Sequence, residues 1–149
     1  GVDLSFMFQY SVGNDVYNAQ RMFSTQSRLE MQNNLAEVKD RWTATNASNL
    51  VPSAKGYVAY DVYSRFIEDG SFLRLKNVTL GDTIPERLTR KFYVYKLRRD
   101  ASANNLFLLT KYSGFDPEVN MKSSNLMPSF DFGAYPKSKT FTFGVELNF

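Results

Sequence analysis

The side chains best suited to chemistry in this sequence are carboxylates, because its 149 residues include no histidine and no cysteine. Their absence excludes Ser–His–Asp catalysis, imidazole acid–base chemistry, thiol nucleophiles and metal sites built from either ligand. A pair of carboxylates could still act as general acid and base, but no local pairing of them stands out. The sequence therefore indicates neither an enzyme nor a cofactor.

One group of acidic residues offers the oxygen ligands that calcium prefers. It comprises Asp116, Glu118 and Asp131, together with Asn120. Their spacing is not that of an EF-hand loop, and Gly114 followed by Asp116-Pro117 is typical of a turn. The turn is the favoured interpretation, so no metal site is predicted.

Aromatic side chains make up 15% of the sequence and are its best candidates for binding a solute. In the long segments between predicted strands they could stack on sugar rings or on peptide side chains. These aromatics are Tyr17, Trp42, Tyr57, Tyr60, Tyr63, Tyr112 and Phe115. Packing within a small core of the loops is the favoured alternative, above all for Trp42. As substrate-binding candidates we select Tyr17, Asn18, Tyr112 and Phe115.

The densest basic stretch of the sequence contains six cations, although the net charge is only +3. They are Arg87, Arg90, Lys91, Lys96, Arg98 and Arg99. A basic patch can bind nucleic acid, but no nucleic-acid-binding motif accompanies this one. A solvated turn between two strands is the favoured explanation, so nucleic acid is not an expected partner.

Alternating hydrophobicity predicts the strands that would position these residues. Apolar residues occupy every second position in 2–10 and in 140–149. Side chains of a strand alternate between its faces, so each segment would have one oily and one polar face. Further strands are predicted at 71–84 and 97–109. In 71–84 the apolar positions change from odd to even numbers, which predicts a bulge near Lys76 and Asn77, and Pro85 would end the strand.

Two short helices are predicted in the first long loop. Asp15 is expected to cap the first helix. Asn34 and Glu37 resemble a capping box for the second. The inward faces would carry Val16, Ala19 and Phe23 in the first helix and Leu35, Val38 and Trp42 in the second.

The connections between the strands are long, short and long in turn. Outer-membrane barrels have this pattern, because their extracellular loops are long and their periplasmic turns short. If the C-terminal residue lies on the periplasmic side, 12–70 and 110–138 are extracellular loops and 85–96 is a periplasmic turn. No apolar run approaches the ~20 residues of a membrane-spanning helix, whereas a transmembrane strand needs only ~9–11.

Four stretches of the sequence form a series: NDVYNAQR at 14–21, SRFIEDGSFLRLKNVTLGDTIP at 64–85, NNLFLLTKYSGFDPEVN at 104–120 and DFGAYPKSKTFTFGVELNF at 131–149. In this order they resemble the C-terminal region of the SusC/RagA family of TonB-linked outer-membrane transporters. The resemblance implies an all-β fold, with antiparallel strands forming the C-terminal part of a transmembrane β-barrel of about twenty-two strands. Residues 1–149 would supply roughly the last four strands and two extracellular loops containing short helices. The plug domain and most strands would lie outside this segment.

The resemblance also implies a function, the import of bulky nutrients across the outer membrane of a Gram-negative cell. The solutes would be oligosaccharides or peptides. The implied partners are a SusD-like surface lipoprotein, TonB through the missing N-terminal region, and outer-membrane lipid. Four strands could not act alone, because the smallest outer-membrane barrels have about 8 and open strand edges in lipid leave backbone groups unpaired.

Three charged residues depart from the family pattern, which is apolar or aromatic at their positions. They are Asp82, Arg99 and Asp100. Asp82 is in phase with Val78 and Leu80, so it would share the oily face of its strand. An acidic side chain on a lipid-facing surface costs about 0–1 kcal/mol when it lies near the interface.

The alternative is a soluble all-β carbohydrate-binding module, since the strands of a soluble sandwich alternate in the same way. Its aromatic loops would form the binding site. The two hypotheses differ in the surroundings of Phe141, Phe143, Val145 and Leu147. These side chains would face hydrocarbon in a transporter and a second layer of protein in a sandwich.

Overall fold

The computed structural model describes residues 1–25, 33–53, 62–120 and 128–149. The chain forms two compact units, each assembled from separate parts of the sequence. The sheet unit comprises Gly1–Val12, Ser71–Lys111 and Pro136–Phe149, and the loop unit comprises Gly13–Gly70 and Tyr112–Tyr135. Within the described ranges, no helix has both the length and the apolar character needed to cross a membrane.

Strands dominate the described residues, as the all-β prediction requires. They are β1 (Val2–Ser11), β2 (Asp15–Asn18), β3 (Ile67–Asp69), β4 (Phe72–Ile84), β5 (Lys96–Thr110), β6 (Phe130–Asp131) and β7 (Thr140–Asn148). The helices are short: α1 (Ala19–Thr25), α2 (Glu86–Thr89), and 3-10 turns at Ala36–Asp40, Ser64–Phe66 and Arg90–Phe92.

The sheet unit is one antiparallel sheet with the strand order β1-β4-β5-β7. All four predicted strands are confirmed, within two residues at each end. The predicted bulge is also confirmed. Leu75 pairs with Phe8 and Asn77 pairs with Met7, so Lys76 has no partner on β1. The extra residue reverses the alternation of β4 and keeps its apolar side chains on one face along the whole strand.

The loop unit is built around a smaller sheet with the order β3-β2-β6. Strand β2 runs antiparallel to β3 and parallel to β6. Val16 of β2 is completely buried and packs with Tyr112 and Val119. Phe66, which is 1% exposed, is the largest fully buried side chain. The long connections therefore carry a core of their own.

The predicted cap of the first helix is wrong. Asp15 begins strand β2, and helix α1 starts only at Ala19. The Asn18 side chain caps it, because its Oδ1 accepts a hydrogen bond from the backbone N–H of Arg21 at 2.8 Å. Val16 and Tyr17 pair with β3, and this pairing extends the backbone up to the residue that caps the helix.

The capping box predicted for the second helix is also wrong. The 3-10 turn Ala36–Asp40 follows Leu35, and no side chain caps it. Glu37 pairs instead with Arg21, which is distant in sequence. Only Val38 of the predicted inward face is buried, whereas Leu35 and Trp42 are nearly half exposed. The turn is too short to bring Trp42 onto the same face.

Candidate functional site

The two faces of the large sheet differ sharply in chemistry. Paired residues on neighbouring strands share a face. One face carries apolar side chains on every strand, and its outer strands contribute exposed Leu4, Phe6, Phe8, Phe141, Phe143, Val145 and Leu147. The other carries hydroxyl, amide and charged groups, including Ser5, Thr79, Ser102, Thr142, Asn77, Asn104, Asp3, Arg98 and Glu146.

The apolar face is uncovered within the described residues. Phe143 is 80% exposed and Val145 is 70% exposed. A contiguous apolar surface of this size is unusual on a soluble monomer and marks a surface that contacts another apolar phase or molecule. The structure thus lacks, in the described ranges, the second layer that a soluble sandwich would place over these side chains.

Ion pairs organise the polar face. The guanidinium of Arg98 contacts both carboxylate oxygens of Asp3, with Nη1–Oδ1 at 2.9 Å and Nη2–Oδ2 at 3.0 Å. On the neighbouring strand pair, Lys96 Nζ lies 2.8 Å from Glu146 Oε1. The parallel, two-point geometry of the Arg98 pair gives it a defined orientation, so this face presents fixed charges.

Two glycines make room for these charged groups. Gly81 pairs with Asp3 and Asp100, and Asp100 pairs with Gly144. A Cβ at Gly81 would lie 2.7 Å from Asp3 Oδ2, and one at Gly144 would lie 2.8 Å from Asp100 Oδ1. The charged side chains therefore lie flat over glycine, where another residue would displace them.

The structure resolves the three charged departures from the family pattern. Asp82 and Arg99 are cross-strand partners on the apolar face, and Arg99 Nη2 lies 2.9 Å from Asp82 Oδ2. Asp100 lies on the opposite, polar face beside Gly81. Asp100 therefore lies on the polar face, and the charges of Asp82 and Arg99 neutralise each other on the apolar face.

We expect replacement of Asp82 by Ala to destabilise the folded barrel of the full-length protein by about 1–2 kcal/mol, because it leaves Arg99 unpaired on an apolar face. Urea unfolding in lipid measures the change. The matched double variant Asp82→Ala, Arg99→Leu removes both charges and should restore most of the stability. Equal stability of Asp82→Ala and wild type would show that the pair contributes nothing there.

In the loop unit, the carboxylate of Glu68 connects three segments of the chain. Its Oε1 accepts hydrogen bonds from Asn18 Nδ2 at 3.2 Å, Arg21 Nη1 at 3.2 Å and Ser113 Oγ at 2.9 Å, and its Oε2 accepts one from Ser113 N at 2.9 Å. Arg21 also donates two hydrogen bonds to the Glu37 carboxylate, from Nε at 3.0 Å and from Nη2 at 2.9 Å. We call Asn18, Arg21, Glu37, Glu68 and Ser113 the Glu68 hub.

The electrostatics of the Glu68 hub favour charged carboxylates. Burial raises the pKa of Glu68, but its hydrogen bonds from Ser113, Arg21 and Asn18 outweigh burial and leave the pKa below its ordinary value. The hydrogen bond from Arg21 likewise lowers the pKa of Glu37. Glu37 and Glu68 therefore stabilise the loop unit most when they are ionised.

We expect the loop unit to lose stability as the pH falls below the ordinary glutamate pKa of 4.5. Because the pKa values of Glu37 and Glu68 are lower in the folded unit, the unfolded unit binds protons first as the pH falls. The stability that the two ionised glutamates contribute is therefore complete above pH 4.5 and declines as the pH falls through their folded-state pKa values. Proteolysis of the loops between about pH 6 and pH 2, with an acid-active protease in the lower half of the range, measures the loss. The double variant Glu37→Gln, Glu68→Gln should be less stable at pH 7 and less sensitive to acid; an unchanged acid response would refute the assignment.

The structure brings two of the four substrate-binding candidates into the Glu68 hub and the adjoining core. Asn18 is 3% exposed. Its Nδ2 donates to Glu68 and Ser113, and its Oδ1 caps helix α1. Tyr112 is 5% exposed, and its hydroxyl donates to Asp131 Oδ2 at 2.6 Å. Burial and this carboxylate raise the pKa of Tyr112 far above its usual range. Tyr112 therefore remains a neutral hydrogen-bond donor.

The other two candidates, Tyr17 and Phe115, differ in how far their rings are exposed. Tyr17 is half-buried, stacked on Phe130 with ring centroids 5.5 Å apart and edge-on to Phe66. Phe115 is 68% exposed, which leaves its ring available to a solute. Of the remaining loop aromatics, Tyr63 and Trp42 are partly exposed, and Tyr57 and Tyr60 lie outside the described residues.

The acidic group considered for calcium forms turns. Asp116 Oδ1 accepts the backbone N–H of Glu118 at 2.9 Å, as expected for an Asp-Pro turn. Asp131 Oδ1 accepts the N–H groups of Gly133 and Ala134, each at 3.0 Å. Sequence reasoning missed Glu68 and Arg21, whose partners are too distant in the chain for a local pattern to identify.

Comparison with known proteins identifies relatives along the whole chain. No protein-family model matches. TonB-dependent receptor P3 of Formosa agariphila is 33% identical over 156 residues, covering 99% of this chain and 15% of the relative. TonB-dependent receptor SusC of Bacteroides thetaiotaomicron is 30% identical over 148 residues, covering 99% of this chain and 14% of the relative. The chain thus spans about one seventh of the curated relatives' length.

Solved structures agree with these relatives. The RagAB peptide importer in its open-open state matches with a TM-score of 0.82 and 32% identity, covering 100% of this chain and 16% of that one. Its closed-closed state matches with a TM-score of 0.80 at the same identity. These relatives are receptors and importers, and TonB-dependent receptors such as SusC are outer-membrane β-barrel proteins. The chain belongs to the TonB-dependent receptor family, and its sequence and fold are those of a SusC/RagA-type C-terminal region.

Proposed function

We propose that this chain supplies the last barrel strands and two extracellular loops of a TonB-dependent importer of bulky nutrients. The observation that carries the proposal is the two-faced sheet. Its exposed apolar face suits hydrocarbon, and its opposite face carries the Arg98–Asp3 and Lys96–Glu146 pairs suited to a water-filled interior. Within the described residues, β1 and β7 each have a neighbour on one side only, so further strands would complete the barrel.

The energy source and partners follow from the same proposal. A plug domain and a TonB-contacting segment would come from other parts of the full-length protein, and a SusD-like surface lipoprotein would cover the barrel. The solute would be a peptide or an oligosaccharide. The RagAB transporter, whose structure this chain resembles, is a peptide importer, and this likeness favours a peptide as the solute.

The location is tested by heat-modifiable mobility of the full-length protein in gels of isolated outer membranes. A folded barrel should migrate differently before and after boiling, because its closed hydrogen-bonded sheet resists detergent. A protein found in the soluble fraction whose mobility does not change on boiling would overturn the proposal.

Within the loop unit, we propose Phe115 as the solute contact. Replacement of Phe115 by Ala in the full-length protein should lower uptake at subsaturating solute about tenfold, since it removes the apolar surface that the solute would cover. Uptake is measured as depletion of a tryptic peptide mixture, or of a neutral oligosaccharide mixture, from the medium.

The matched control is Leu50→Ala, which truncates another exposed apolar residue of the loop unit and should leave uptake unchanged. Uptake by Phe115→Ala equal to wild type would refute the contact while leaving the barrel assignment intact. The buried candidates Asn18 and Tyr112 and the half-buried Tyr17 would act, in the same proposal, by holding the loop that presents the solute-binding surface.

A further inference from the structure

The six-cation stretch is not explained by solute import, and the structure divides it into three groups. Lys96 and Arg98 lie on the polar face of the sheet, and each contacts a carboxylate. Arg99 lies on the apolar face, paired with Asp82. The remaining cations, Arg87, Arg90 and Lys91, are exposed in the turn between β4 and β5. Only this last group retains an excess of positive charge.

The turn 85–95 has a net charge of +2, since its only acid is Glu86. Arg90 lies 3.3 Å from Glu86. Within the described residues, neither Arg87 nor Lys91 forms an ion pair. Two exposed cations are therefore available to an anionic partner.

Aromatic side chains lie in the same turn. Phe92, Tyr93 and Tyr95 are 76%, 84% and 63% exposed. Tyr95 has the strand parity of Leu97 and Arg99, the residues of the apolar face, and its N–H donates to Asn148 O at 2.9 Å. Tyr93 adopts a left-handed backbone, with φ 58° and ψ 25°. That conformation is costly for a bulky residue, yet the exposed ring gains no compensating burial in the sheet unit.

Exposed aromatics bordering an apolar strand face are the arrangement of an interfacial girdle in outer-membrane barrels. Cations immediately beyond such a girdle lie at the depth of lipid headgroups, where each basic side chain gains attraction to anionic lipid. The turn therefore joins three features of a lipid boundary: an apolar face, an aromatic border and unneutralised positive charge.

We infer that the turn 85–95 binds the headgroup of an anionic glycerophospholipid, with Arg87 and Lys91 contacting the phosphate and Phe92, Tyr93 and Tyr95 lying at the edge of the hydrocarbon. This inference rests on the proposed barrel, because it requires the apolar face to contact lipid. Charge complementarity selects the occupant: a zwitterionic headgroup would leave the excess charge of the turn unneutralised.

The test uses the full-length transporter in detergent, with phosphatidylglycerol or phosphatidylcholine added and retained lipid counted by native mass spectrometry. The wild type should retain phosphatidylglycerol in preference to phosphatidylcholine. The double variant Arg87→Gln, Lys91→Gln should lower the apparent affinity for phosphatidylglycerol about ten- to thirtyfold and leave that for phosphatidylcholine unchanged. The matched control Lys111→Gln, Lys139→Gln removes two other exposed cations of the sheet unit and should change neither affinity.

Four results would each overturn the inference: equal retention of both lipids by the wild type, unchanged retention by the Arg87/Lys91 variant, an equal loss in the control, or preferential retention of lipid A over phosphatidylglycerol. Heat-modifiable mobility is recorded for every variant. A wild type that lacks it contradicts the proposed barrel, whereas a heat-modifiable barrel without preference for phosphatidylglycerol contradicts only the lipid site.

Discussion

Replacement of Glu68 by Ala should destabilise the loop unit by about 3–5 kcal/mol, because it removes the acceptor for four hydrogen bonds and leaves the Arg21 charge with one carboxylate fewer. The Asn18 amide, which is almost fully buried, would lose a partner that water cannot readily replace. The population of open loop should rise about 100- to 4000-fold, since each 1.4 kcal/mol is about a factor of ten.

Hydrogen–deuterium exchange of the full-length protein measures this opening in peptides from 13–25 and 112–120. The control is Asp40→Ala, which removes an exposed acid from a turn of the same unit and should leave exchange unchanged. Faster exchange confined to the peptide containing residue 68 would show that Glu68 does not connect the separate segments.

Replacement of Phe66 by Ala should have an effect of similar size, about 3–5 kcal/mol, through loss of core packing. The Phe66 ring lies edge-on to Tyr17, with centroids 6.3 Å apart, and the guanidinium carbon of Arg65 lies 4.8 Å from its centre. Truncation would open a cavity beside β2, whose last residue, Asn18, caps α1. The whole loop unit should become more susceptible to protease, and uptake of solute should fall with it.

Phe115→Ala is the matched control, because the same change at a 68% exposed position leaves no buried cavity. We expect its stability to change by less than about 0.5 kcal/mol while its uptake falls. The two phenylalanines should therefore separate stability from solute contact. Equal protease resistance of Phe66→Ala and Phe115→Ala would contradict the buried core of the loop unit.

The strands were predictable because their signal is local. Alternation with a period of two requires only neighbouring residues, and it predicted β1, β4, β5 and β7 and the bulge at Lys76. The helix caps failed for the opposite reason. Asp15 has the residue type of a cap, but pairing of β2 with β3 extends the backbone through Tyr17, and so the cap is Asn18. Asn34 also has the residue type of a cap, but the turn that forms follows Leu35 and has no side-chain cap. Tertiary pairing overrides a local preference that is worth only about 1 kcal/mol.

By itself, the sequence determined the two-faced strands, the unequal connections and, through four ordered stretches, the transporter family. Only the tertiary structure decided which charges meet. Asp82 joins Arg99 across 17 residues, and Asn18 joins Ser113 across 95. Strand register and loop closure set these contacts, and no short window of sequence contains both partners. The same register places Asp100 on the polar face. Within the described residues, it pairs the cations of β5 with carboxylates of the sheet but provides no such partner for the cations of the turn 85–95.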